Sequence, residues 1–271
     1  MDFYQIKSGN YSVEIDLNKL LDAGQLNQFK SQYGELAAQD EDFKALTTLR
    51  DGFLRYESET LLPLIGEGFK PKVLLVIGSP ATHCVRNGMF FFSQPGEDYQ
   101  RHGMWGRLAK AQLVPYVKCR IDDQHEARVR EANLRKLMIL SGTSSKKYLV
   151  GITSFYSLPM PVTGSDYDGV EGVEKLFGPV LDEIARVETE RICSYPFTQG
   201  AALVFTQKST HSIYSKLTGT KPEFWPLRGD GSGGADLAKI IAGTKAAKTR
   251  GQAPDKGEWP TDLKVSFHED E

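Results

Sequence analysis

Side chains able to move a proton or hold a developing charge fall at the ends of β-prone runs in this chain. Residues 201–206 (AALVFT) run into Gln207, Lys208 and then Ser209, Thr210, His211 and Ser212. A histidine after a strand can serve as a general acid or stabilise a departing anion. The plain alternative for His211 is a surface histidine bonded to backbone. Ser79 and Pro80 close a second apolar run, residues 73–77 (VLLVI), and Thr153 and Ser154 close a third within residues 148–155 (YLVGITSF). If the strands are parallel, these polar ends converge on one rim, where open α/β sheets bind ligands. Between Pro80 and Gly88 lies a polar loop with Thr82, His83, Cys84, Arg86 and Asn87, and Gly88 leads into Met89, Phe90, Phe91 and Phe92. Three adjacent rings cannot all face one core, so one of them is available beside the loop as a stacking surface.

The elements that must position these groups follow from pattern. Residues 73–77 show no polar alternation, which suits a strand covered on both faces, as in a parallel sheet. Gly78 permits a sharp turn and Pro80 cannot donate to a ladder. Residues 1–15 alternate weakly, as an edge strand. Apolar spacing predicts helices over residues 17–33 and 42–62, the latter through Leu46, Leu49, Phe53, Leu54, Leu61 and Leu62. Further helices are predicted over 105–113, 122–140, 173–187 and 235–242. In the helix 122–140, Val129, Leu134, Leu137 and Met138 are expected in the core, with Arg128, Arg130, Arg135 and Lys136 on a solvated face. Residues 191–195 read as a strand, although the five residues 196–200 that then separate it from 201–206 are too few for a helical crossover. The expectation is an α/β fold: a three-layer α/β/α sandwich on a short, mainly parallel sheet. One domain would span 1–243, with 1–70 as its helical N-terminal part, followed by a loosely held tail at 244–271 rich in Lys, Gly, Pro and Asp.

Composition narrows the function classes. The chain has 271 residues, with 33 Lys and Arg against 35 Asp and Glu, a net charge of -2 that announces no global affinity for nucleic acid, although a local basic groove survives such averaging. No apolar run approaches a membrane span, and residues 1–10 lack a secretory pattern, so a cytoplasmic or nucleoid-associated protein is expected. The three cysteines, Cys84, Cys119 and Cys193, are widely spaced, which argues for reduced thiols and against a structural zinc site. The glycine-rich stretch 229–234 follows no strand and lacks the lysine of a phosphate-binding loop.

From about Leu49 to Leu113 the chain resembles the uracil-DNA glycosylase superfamily: LRDGFLRYESETLLPLIGEG, then KPKVLLVIGSPA, a polar loop, Gly88 with Phe90 and Phe91, and MWGRLAKAQL. That family extrudes a base from DNA and hydrolyses its N-glycosidic bond. The resemblance implies a water-orienting turn at Ser79, a stacking ring at Phe90 or Phe91, and base-reading groups at Thr153 or Ser154. It also implies a DNA-gripping segment at residues 210–215 that carries His211 as the catalytic donor. Ile213 or Tyr214 would fill the gap in the base stack, and Arg86, Lys208, Lys216 and Ser212 would meet the backbone. Ser79 stands where most members have Asp, Asn or Ala, so no carboxylate that activates water is supplied there, and Asp98, Asp166 or Asp168 could take over that role. Ala81 leaves room where some relatives block 5-substituents, which admits a modified pyrimidine. The implied protein is a monomeric DNA glycosylase without a metal or organic cofactor, with DNA as its partner and no membrane. Rival expectations are a small-molecule nucleoside hydrolase and a catalytically inactive DNA-binding relative.

Overall fold

The computed structural model describes residues 2–7, 11–64, 70–93, 102–162, 165–226, 233–244 and 263–266. At its centre is a sheet of four parallel strands: β5 (Lys72–Ile77), β7 (Leu149–Ser154), β8 (Ala202–Phe205) and β9 (Glu223–Phe224). Their order is β7-β5-β8-β9. Alternate residues of β5 point to opposite faces, as the pleat requires. Leu74 and Val76 pack with α6 (Gly169–Phe177), α7 (Leu181–Ser194), α8 (Lys208–Thr218) and part of α1 (Ala23–Gln39). Val73, Leu75 and Ile77 pack with α4 (Gly103–Lys110), α5 (Gln124–Leu140) and α9 (Gly233–Gly243). Helices therefore cover both faces, and the expected three-layer α/β/α arrangement is present.

The N-terminal part departs from expectation. Four strands, β1 (Tyr4–Lys7), β2 (Ser12–Asp16), β3 (Thr47–Arg50) and β4 (Phe53–Glu57), form an antiparallel sheet in the order β1-β2-β4-β3. The helix predicted over 42–62 is confined to α2 (Glu41–Leu46). Asp51 and Gly52 both have positive φ, 53° and 80°, and connect β3 to β4 in a two-residue hairpin. An Asp-Gly pair favours that turn strongly enough to override the apolar spacing.

Three other expectations change. Residues 191–195 are not a strand: 191–194 end α7, and α6 and α7 make the helical crossover from β7 to β8. In α5, Arg128 and Arg135 are buried with Glu131, which accepts from Arg128 Nη1 at 2.6 Å, while Leu137 is exposed. The Arg135 guanidinium lies 4.9 Å from the Trp105 ring centre. Within the expected tail, β10 (Leu263–Ser266) pairs antiparallel with β6 (Tyr116–Cys119). Two cysteines, Cys84 and Cys119, are buried, Cys193 is exposed, and all three are free thiols.

A buried polar network joins the N-terminal sheet to the end of β7. Glu188 accepts from the Ser157 backbone N–H at 2.8 Å and from Arg191 Nε at 2.5 Å. Arg191 Nη2 donates to the carbonyls of Ser154 and Phe155, at 2.5 and 3.0 Å. Tyr56 and Tyr4 of the antiparallel sheet reach Ser157 through their hydroxyls, at 2.8 and 3.1 Å. Removing one member of a buried ion pair strands the other charge, at a cost of about 3–5 kcal/mol. Arg191→Met is expected to lose that much stability in urea unfolding, and Glu188→Gln in the same chain to recover part of it.

Candidate functional site

A cavity of about 880 Å³ opens at the carboxyl ends of β5 and β8. The chain leaves β5 toward β7 on one side and leaves β8 toward β9 on the other, so the crevice between them is the sheet's topological switch point, where ligands of open α/β folds bind. Gly78 and Ser79 after β5 and Thr206 and Gln207 after β8 form its floor. Gly78 is required by close approach. A Cβ there would come within 2.3 Å of Val170 Cγ2 and 2.9 Å of Gln207 Cγ.

One wall is the turn that follows α3 (Thr82–Arg86). Gly88 has a φ of 65°, and its carbonyl accepts from Lys136 Nζ at 2.8 Å. Phe90 then turns inward and is fully buried, while Phe91 remains partly exposed to the cavity. Phe91 has a φ of 55°, a conformation that costs a bulky residue energy and must be imposed by its surroundings. Those surroundings are visible. His102 stacks on the Phe91 ring with centroids 5.4 Å apart, Trp105 meets its edge at 5.5 Å, and Trp105 Nε1 donates to the Phe91 carbonyl at 3.0 Å. Of the two expected platforms, Phe91 is the one with a ring to offer.

His102 caps α4 by accepting the Met104 N–H on Nδ1 at 3.2 Å, which places its proton on Nε2. The residue as a whole is exposed, but desolvation of its ring against Phe91, with smaller contributions from His83 and Arg107, pushes its pKa down to about 4, so the ring is neutral near pH 7. The opposite lip carries Asp168, Gly169 and Glu171 at the start of α6, with Met160, Pro161 and the exposed Val162. Asp168 Oδ1 accepts from the Ser165 N–H at 3.2 Å, fixing the carboxylate at the lip.

The structure brings Ser79, Ala81, Phe90 and Phe91 to this cavity, together with Asp168, one of the three carboxylates named above. Asp98 lies outside the described residues. Thr153 and Ser154 are fully buried and do not line it. Thr153 Oγ1 meets Thr60 Oγ1 at 3.0 Å and accepts from Arg191 Nη1 at 3.3 Å, on the face away from the Phe91 turn. His211 is one turn inside α8 rather than in a loop, so its ring is carried outward. There it lies beside Phe205 and Phe224, with a ring nitrogen 2.9 Å from the Pro222 carbonyl oxygen. The plain reading of His211 matches this position. Tyr214 is a core residue, its ring 5.0 Å from that of Phe205, and Ile213 lines a groove between α7 and α8 instead of the cavity. Arg86, Lys208 and Ser212 are exposed. Gln207 and His102 were missed by sequence reasoning. Gln207 was legible as the first polar side chain after a buried strand, whereas His102 carries no sequence signal beyond its place before a helix.

The arrangement offers an aromatic face, an amide that both donates and accepts at Gln207, and a carboxylate at the lip. These groups can hold a flat heterocycle and orient a water beside it. Among the described residues there is no cluster of three or more His, Cys, Asp or Glu suited to a metal ion, and no helix is long and apolar enough to cross a membrane. No protein-family model matches the chain, and no curated protein matches it in sequence.

The depressed pKa of His102 has a measurable sign. Its neutral form is favoured by folding, so the stability it confers is present above pH 6.5 and is lost as pH falls through about 4. His102→Asn keeps a capping acceptor without the titration. The stability difference between the wild type and this variant should therefore shift in the variant's favour between pH 6.5 and 4 in urea unfolding, and a constant difference would contradict the assignment.

Proposed function

We propose that the protein is a DNA glycosylase that hydrolyses the N-glycosidic bond of a pyrimidine extruded into the β5–β8 crevice. The observation that carries this reading is the strained Phe91, backed by His102 and Trp105, facing a switch-point cavity with Asp168 at its lip. The resemblance of residues 49–113 to the uracil-DNA glycosylase superfamily supports it from the sequence side. An enzyme that acts on a base within DNA must unstack it and give it a new stacking partner. Phe91 provides that surface, and Gln207 reads the edge of the base.

As the bond between C1′ and the base nitrogen breaks, its electron pair leaves with the base and positive charge builds on the sugar. Gln207 Nε2 donates to the base oxygen that takes up the charge, an interaction stronger in the transition state than before it. Asp168 orients a water toward C1′ and accepts its proton as the new C–O bond forms. The base anion then takes a proton from solvent. Val162, exposed at the mouth, is placed to fill the space left in the stack, and Arg86 and Lys208 carry the salt-dependent backbone affinity. Ala81, small and at the cavity, leaves room for a 5-substituent, as in modified phage DNA.

A second reading is a nucleoside hydrolase acting on a small molecule. It is favoured by one observation: no Lys or Arg lines the cavity among the described residues. Salt-dependent affinity for DNA separates the two.

The test is incubation with duplexes carrying uracil, 5-hydroxymethylcytosine or glucosylated 5-hydroxymethylcytosine, followed by alkaline cleavage at abasic sites. Cleavage of at least one substrate is expected, with Asp168→Asn slower by about 100- to 10,000-fold. Phe91→Ala should lose roughly 1–3 kcal/mol of stacking. Lys208→Ala should weaken DNA binding while leaving the rate at saturation unchanged. Release of base only from free nucleosides would establish the second reading, and intact substrates throughout would remove both.

A further inference from the structure

Glu59 is the buried charge-bearing group that the site leaves unused. It lies between β4 and the Leu61–Ile152 bridge, in which each backbone N–H donates to the other carbonyl at 2.8 Å. Continuing that antiparallel register sets Thr60 opposite Thr153, as their 3.0 Å hydroxyl contact shows, and Glu59 opposite Ser154. The same register turns Glu59 to the face of Leu61 and Ile152, under the wall that carries Phe91. Both of its carboxyl oxygens are sealed from solvent and have no hydrogen-bond partner within bonding geometry. The groups that face it are the Phe90 backbone N–H of the turn, the Cys84 thiol of α3, the Lys136 ammonium of α5 and, in register on β7, the Ser154 hydroxyl, which is itself unpartnered.

Of these neighbours the Phe90 amide belongs to the turn, and Cys84 and Lys136 bond its backbone at Met89 and Gly88. Lys136 grips the turn by donating to the Gly88 carbonyl, and Phe91, two residues past Met89, keeps its strained backbone only if the turn is held. A sealed carboxyl without a bonded partner is costly, and such a group in a native fold calls for a reason. We propose that Glu59 is a positioning residue for the Phe91 platform, sealed beneath the turn as its support while Lys136 holds the turn at Gly88. This deepens the glycosylase reading and rests on it only for the consequence in catalysis.

Burial pushes the Glu59 pKa up to about 8, against the opposing pull of Lys136 and the Phe90 amide. Near neutrality the carboxyl is mostly the uncharged acid. As pH rises through about 8 it ionises, and its attraction for the Phe90 N–H and for Lys136 grows. The turn is then drawn tighter and the platform is fixed more firmly. Stability moves the other way. A carboxyl with a raised folded-state pKa stabilises the fold below its ordinary value of 4.5 and loses that contribution as pH rises through about 8.

The test uses the full chain labelled with 5-fluorotryptophan, the Trp105 resonance being assigned with Trp105→Phe. Because Trp105 bonds the Phe91 carbonyl, its 19F signal reports the turn without any substrate. In the wild type the signal is expected to titrate with a midpoint near pH 8, with KM for a cleavable duplex falling across the same range. Glu59→Gln should show neither change, and Glu59→Leu should raise KM about tenfold with kcat within threefold. A Trp105 signal that titrates identically in Glu59→Gln, or a Glu59→Leu variant with wild-type KM and signal, overturns the proposal. If Glu59→Leu does not fold, the Gln titration decides alone. If the wild type cleaves no duplex, the glycosylase reading falls, and the 19F titration still decides whether Glu59 holds the turn.

Discussion

Everything at the candidate site depends on the reversal of strand order at β5. A parallel strand leaves its carbonyls and its following loop at the carboxyl edge, and two neighbours whose chains depart in opposite directions leave a gap there. In the order β7-β5-β8-β9 that gap falls between β5 and β8. Gly78 lets α6 and Gln207 close over the floor, and the turn after α3 supplies one wall. The cavity is thus a product of topology first and of side-chain identity second. The residues with chemistry to offer are those that happen to follow these two strands.

A second constraint is the treatment of buried charge. Glu188 and Arg191 are nearly sealed, yet each is paired and bonded to backbone at the end of β7, and the tyrosines of the N-terminal sheet complete the network. The network ties an antiparallel sheet to a parallel one without a shared strand. Glu131 is handled in the same way, between Arg128 and Arg135 and the Cys119 N–H. Glu59 is the exception, facing Lys136 without bonding to it, and it sits under the turn that holds Phe91 at a φ of 55°.

The sequence made the central sheet legible because β5 and β8 are apolar runs and β7 is one up to its polar end at Thr153 and Ser154. The N-terminal hairpin was misread because Leu46, Leu49, Phe53 and Leu54 mimic helical spacing, while the Asp51-Gly52 signal that breaks it is two residues long. Arg128 and Arg135 looked solvated because a charge pattern does not reveal that Glu131 faces both from the same helix. At the site, Ser79, Ala81 and Phe91 were legible from the strand end and the aromatic run. His211 and Tyr214 were misplaced because starting α8 at Lys208 turns both side chains away from the rim, a rotation set by where the helix begins. Thr153 does not reach the cavity for a related reason: its side chain points to the face occupied by Arg191.

The claim that the β5–β8 crevice receives the base is tested most directly by filling it. Ala81 lines the cavity and is partly exposed at the edge of the core, so Ala81→Trp adds bulk there, and its thermal unfolding reports whether the fold bears it. Free base released from a modified duplex can be counted by mass spectrometry alongside DNA affinity and thermal unfolding of the same variant. The account expects base release to fall by at least a hundredfold while affinity and unfolding temperature stay near those of the wild type. Wild-type release from Ala81→Trp would contradict it and move the site away from the crevice.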